Sequence, residues 1–180
     1  MSGSLPGQLD SKLSGRILDA VAGGFESQLG VTVGLRRQPA VRGQERGARA
    51  LVHTALETRG YQMDRWAIVI GEIEAHPSFS PVNVDYSKAV NVVGTHTPVQ
   101  NLGRSLILNG HIDVVPTGPL DMWTRPPFEP SIDGDWLYGR GGGDMKAGLC
   151  ANIFALDALR SLDFQPSADV FLQSVTEEEC

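Results

Sequence analysis

Apolar and polar residues alternate along this chain with two different periods. From Ser11 to about Leu35, apolar residues recur at helical spacing as Ile17, Val21, Phe25 and Leu29, and predict a first helix, against which Gly23 and Gly24 weigh. Gln38–Gly43 reads as a loop. A second helix is predicted over Gln44–Thr58, with Gly60 placed to end it. Tyr61–Glu72 (YQMDRWAIVIGE) then reads as a strand, and His76–Ser87, with two prolines and small polar residues, as a loop. Ala89–Thr95 and Ser105–Asn109 are strand-like. Pro116, Pro119, Pro126, Pro127 and Pro130 make the stretch to Ser131 irregular and superficial. Trp136–Tyr138 is a short strand. Asp144–Leu162 carries Met145, Leu149, Ile153, Leu156 and Leu159 at helical spacing and is the clearest helix. Val170–Val175 is an apolar run of buried-strand type. Helix and strand alternate through the second half, so the fold class is α/β, a mixed sheet flanked by helices.

Length and composition narrow the picture. A chain of 180 residues, 41% hydrophobic and 20% charged, supports one globular core. Residues 1–10 read as a flexible tail and 11–180 as the folded unit. The tail has no basic start followed by an apolar stretch, and no run is long enough to span a bilayer, so neither a signal peptide nor a membrane partner is expected. A net charge of −6 without a basic run argues against nucleic acid. Cys150 and Cys180 form no metal-type or disulfide spacing, which suits a cytoplasmic protein, with Cys150 a small core residue.

The chemistry-bearing residues follow apolar strands. His111-Ile112-Asp113 follows Ser105–Gly110, and Thr176-Glu177-Glu178-Glu179 follows Val170–Val175. Residues i and i+2 of an extended segment share a side, so the Asp113 carboxylate could support the His111 imidazole; the bland alternative is a loop His and a turn Asp. Gly141-Gly142-Gly143-Asp144 admits two readings: a tight turn with Asp144 capping the helix, or a carboxylate bridging two metal ions. A phosphate loop fits poorly, because Asp144 stands where GxGxxG needs glycine and no GK[ST] follows. A glutamate triplet is ordinarily a solvated patch, but this one follows an apolar strand directly, where open α/β sheets collect active sites. Each gap, from His111 to Asp144 and from Asp144 to Glu179, is roughly one 30-residue β-α-β step, so the three could meet at one sheet edge. Nitrogen and oxygen donors without thiolate suit a hydrolytic Zn²⁺ site, with Co²⁺ or Mn²⁺ possible.

These segments, with Asn91-Val92-Val93-Gly94, Leu108–Pro116, Trp123, Pro127–Pro130, Leu137–Gly141 and Asp144-Met145-Lys146, resemble the M20 metallopeptidase/deacylase family, in its acetylornithine deacetylase/succinyl-diaminopimelate desuccinylase-like branch. The resemblance implies a zinc-exopeptidase-like catalytic domain, here incomplete, with two Zn²⁺ ions. His111 would bind one metal, Glu179 the other, and Asp144 both. Asp113 would orient His111, Glu178 would be the general base, and Glu177 would fill the leading acidic position without touching metal. A cis peptide is expected at Asp144–Met145. The implied activity is hydrolysis of an N-acyl amino acid or a short peptide by metal-activated water. The family's later sequence supplies a further acidic ligand, a distant His ligand and an inserted domain through which the full-length parent forms a homodimer, so this chain is expected to be an N-terminal fragment with little activity alone. The alternative is a truncated, non-catalytic binding or structural product with a weak metal site.

Overall fold

The computed structural model describes residues 10–81, 85 and 87–179. The expected tail lies outside them except for Asp10, whose side chain accepts from the backbone N–H groups of Lys12 and Leu13 at 3.2 and 3.3 Å and so caps the first helix. Helix α1 runs Ser11–Arg36 and α2 runs Arg46–Glu57. Strand β1 is Gln62–Ala67 and is followed by a single helical turn, α3, Ile70–Ile73. Strands β2 (Val90–His96) and β3 (Leu106–His111) precede a small hairpin of β4 (Ser131–Asp133) and β5 (Trp136–Tyr138). Helix α4 is Ala147–Arg160, and β6 is Val170–Val175.

The main sheet has the order β1-β2-β6-β3. β1 and β6 each run antiparallel to β2, whereas β3 and β6 are parallel and are joined through α4 as a β-α-β crossover. The expected mixed sheet flanked by helices is therefore present. Its core lies where α1, α2 and α4 meet the sheet: Leu35, Val52, Leu56, Ile153, Val170 and Leu172 are all buried. β6 alternates buried Val170, Leu172 and Ser174 with partly exposed neighbours, as a strand covered on one face does. Gly94 of β2 is required by this packing. A Cβ there would lie 3.1 and 3.2 Å from side-chain atoms of Leu56 and 3.2 Å from Tyr61, so the absent side chain lets α2 sit down on the strand.

Several expectations need correction. The strand expected over Tyr61–Glu72 ends at Ala67, because Ile70–Ile73 turns helical. The helix expected from Ser11 is present, but its periodic residues Val21 and Phe25 are exposed, and the buried residues are Thr32, Leu35 and Arg36 near its C-terminal end. The helix packs chiefly on α4. The helix nevertheless continues through Gly23 and Gly24. Part of the loop expected over His76–Ser87 (82–84 and 86) lies outside the described residues. β4 was not anticipated at the end of the proline-rich stretch. Cys150 is the free, buried core thiol expected. Among the described residues no helix is long and apolar enough to cross a membrane.

Candidate metal centre

Register places the site. His111, the last residue of β3, pairs with Val175, the last residue of parallel β6, so both strands release their chains at the same end of the sheet. The Ile112 N–H donates to the Val175 carbonyl at 3.0 Å and extends the pairing one step further. His111 is only 3% exposed, whereas the side chains of Asp144 and Glu178 are 78% and 61% exposed. A buried imidazole therefore forms the floor of an acidic opening.

The ring of His111 is oriented from below. Nδ1 lies 3.0 Å from the Asp113 carbonyl, which can only accept, so Nδ1 carries a proton and Nε2 faces the opening. The Asp113 carboxylate is the more distant neighbour, with Oδ1 3.5 Å from the same nitrogen. Its Oδ2 accepts from the Glu179 N–H at 3.0 Å. Asp113 thus touches the ring through its backbone and steadies the glutamate loop through its side chain.

Asp144 comes in from the other side of the crossover. Gly141 has φ 72°, and a Cβ there would lie 2.7 Å from Val114, so glycine is needed for both shape and space. Gly142–Lys146 then forms an irregular turn in which Asp144 and Met145 leave helical space, with a cis peptide between them. The helix expected from Asp144 begins instead at Ala147, with Lys146 at its cap position, so Asp144 is not the cap. Its Oδ1 lies 3.0 Å from His111 Nε2. Lys146 points inward: it is fully buried, its Nζ donates to the Gln38 carbonyl at 2.8 Å, and burial, followed by the nearby Arg36 charge, pulls its pKa down to about 8. Arg36 packs beneath the glycine run, where a Cβ on Gly142 would meet its guanidinium carbon at 3.1 Å. Neither Lys146 nor Arg36 is singled out by sequence, because their roles depend on the loop folding over the end of α1.

His111, Asp144 and Glu179 each offer one donor atom, and the three atoms lie within 4.8 Å of one another. Glu178 Oε2 is 3.7 Å from His111 Nε2. Burial disfavours the charged imidazole of His111. The hydrogen bond to Asp144, the Asp113 carbonyl and the charges of Asp113 and Glu178 outweigh it, so the pKa is raised. Carboxylates facing Nε2 call for a positive charge at that spot, which a proton or a cation can supply. One nitrogen and several oxygens fit a divalent cation of the zinc, cobalt or manganese type.

The mixed sheet, its covering helices and a His–carboxylate cluster at two parallel strand ends define an α/β domain with a candidate divalent-cation site. Residues 107–180 match the profile described as Peptidase family M20/M25/M40. The chain is 33% identical over 141 residues to a succinyl-diaminopimelate desuccinylase of Delftia acidovorans, an alignment covering 78% of this chain and 33% of the relative. It is 34% identical over 132 residues to an N-formyl-4-amino-5-aminomethyl-2-methylpyrimidine deformylase of Halalkalibacterium halodurans, covering 73% and 27%. The crystal structure of the M20 family metallo-carboxypeptidase Sso-CP2 from Sulfolobus solfataricus shares the fold, with a TM-score of 0.61 and 22% identity over 82% of this chain and 30% of that one. The chain spans about a third of the length of the curated relatives it matches.

Proposed function

We propose that this chain forms part of a metal-dependent hydrolase that cleaves the amide bond of an N-acyl amino acid or short peptide. The observation that carries the proposal is the convergence of His111 Nε2 with carboxylate oxygens of Asp144 and Glu179 within 4.8 Å. In this proposal His111, Asp144 and Glu179 would hold the divalent cations, zinc foremost. Cations bound there would supply Lewis acidity, polarising the scissile carbonyl and making water acidic enough to react near neutral pH.

The protein's own groups do the rest. Asp113 holds the His111 ring so that Nε2 faces the opening. Glu178 stands free at the rim, next to His111. As general base it takes a proton from the attacking water and returns it to the leaving nitrogen. The names of the desuccinylase and the deformylase favour removal of a small acyl group from nitrogen as the substrate class. Dimerisation of the parent protein belongs to the same proposal. So does a cytoplasmic setting, which suits the free thiol of Cys150.

Equilibrium dialysis against Zn²⁺ followed by elemental analysis tests the proposal. The chain should retain zinc, and His111→Ala, Asp144→Asn and Glu179→Gln should each lower the amount retained. Equal zinc in the unaltered chain and in a variant lacking all three donors would sink it.

A further inference from the structure

Glu177 has no place in the chemistry above, yet it is the most tightly held member of the glutamate triplet. Its carboxylate is gripped by the Arg42 fork: Nε lies 3.0 Å from Oε1 and 2.8 Å from Oε2, and Nη2 lies 2.6 Å from Oε2. The Glu177 side chain is only 12% exposed. Its backbone has φ 71°, left-handed space that a non-glycine residue adopts only when its surroundings hold it there. Glu178 and Glu179 follow directly, so the direction in which the chain leaves Glu177 sets where both carboxylates point.

Arg42 is itself anchored. It lies between α1 and α2, beside a parallel bridge from Val41 to Val114, where the Val114 N–H donates to the Ala40 carbonyl at 2.9 Å. Val114 follows Asp113, whose carboxylate accepts from the Glu179 N–H. Three segments distant in sequence, 40–42, 111–114 and 175–179, therefore brace one another, and the Arg42–Glu177 pair joins the first to the third. Exposed ion pairs contribute little, but a bidentate guanidinium–carboxylate pair with one partner largely buried fixes distance and plane together.

We propose that Arg42 is a positioning residue, which through Glu177 fixes the loop presenting Glu178 and Glu179 to the metal centre. The assignment rests on the metal-site proposal for its consequence, but not for its geometry.

The test combines hydrogen–deuterium exchange on the metal-free chain with a Co²⁺ titration followed by visible absorption. Arg42→Ala and Glu177→Ala should each speed exchange at the Glu178 and Glu179 amides by about fivefold or more, leaving β3 and β6 amides unchanged. The double variant should be no worse than either single one, because the two residues act as one unit. Arg42→Lys, which keeps the charge and loses the fork, should fall between, and it keeps the test decisive if Arg42→Ala does not fold. Co²⁺ affinity should drop about tenfold in the single variants. Unchanged exchange in Arg42→Lys, or additive effects of the two alanine changes, would overturn the positioning role. If the unaltered chain and Asp144→Asn take up Co²⁺ alike, the metal-site proposal fails, while the exchange result still decides whether Arg42 orders the loop.

Discussion

The buried carboxylate of Asp113 accepts a hydrogen bond from the backbone N–H of Glu179 at 3.0 Å, tying the end of β3 to the loop that leaves β6. The same residue offers its carbonyl to the ring of His111. One residue thus connects two of the three candidate ligands from below. Asp113→Ala removes the acceptor for Glu179 and the negative charge beside the ring. Zinc affinity, measured against a competing chelator, should fall roughly 10- to 100-fold. Asp113→Asn keeps a carbonyl acceptor for the Glu179 N–H and loses the charge, so its loss should be smaller. Equal losses in the two variants would mean that the hydrogen bond to Glu179 does not matter.

Glu178→Gln separates holding from reacting. The side chain stands at the rim and is not one of the three donors that converge, so the amide should leave zinc retention near that of the unaltered protein. In full-length protein, turnover of an N-acyl amino acid should fall about 10²- to 10⁴-fold, the usual contribution of a positioned general base. Loss of zinc together with turnover would make Glu178 a ligand and cost it the role of base.

The residues of the candidate site were more legible in the sequence than the means of holding them. His111 and Glu179 follow apolar strands, so strand pattern and spacing allowed a meeting with Asp144, while the choice of these three as ligands came from the resemblance. The structure has a single crossover from β3 to β6, with Asp144 inside it, where spacing had suggested two steps. Asp144 was harder: three glycines and an aspartate before an apolar helix look the same whether the aspartate caps the helix or sits in a kinked turn ahead of it. Only the backbone at Asp144 and Met145 distinguishes the two. The Arg42–Glu177 pair leaves no local signature, because it joins segments that only the tertiary fold brings together. In the fold itself, β6 and α4 were clear because burial follows their periodicity. The α1 periodicity marked a helix correctly but not its buried face, since Val21 and Phe25 stay exposed. The three-residue strand β4 is too short to show a period.

Packing of α2 on the sheet gives a stability test remote from the chemistry. Gly94→Val would drive a branched side chain into Leu56 and Tyr61, which already stand within 3.2 Å of where its Cβ would be. Overpacking of this kind costs roughly 1–3 kcal/mol. Leu56→Ala, which opens a void under the same strand, should cost about 2–5 kcal/mol. Urea unfolding should show both losses. If Leu56→Ala largely relieves Gly94→Val in the double variant, the clash is located between these two residues.

Lys146 provides the pH dependence. Its ammonium is fully buried beside Arg36, and its pKa is lowered from 10.5 to about 8. Between those values the unfolded chain holds a proton that the folded chain has released, so stability rises with pH across that window. Below about pH 8 both states are protonated, and the cost of burying the charge is present in full, on the order of 3 kcal/mol. Lys146→Met removes that cost together with the hydrogen bond to the Gln38 carbonyl. The stability of the natural protein relative to Lys146→Met should therefore be lowest at pH 7 and climb steadily from pH 8 to above 10. Paired urea titrations of both proteins across that range measure the difference directly and cancel the titration of groups common to the two. A difference that stays flat across the window would show that Lys146 keeps an ordinary pKa, and that its burial is relieved by contacts other than the one to Gln38.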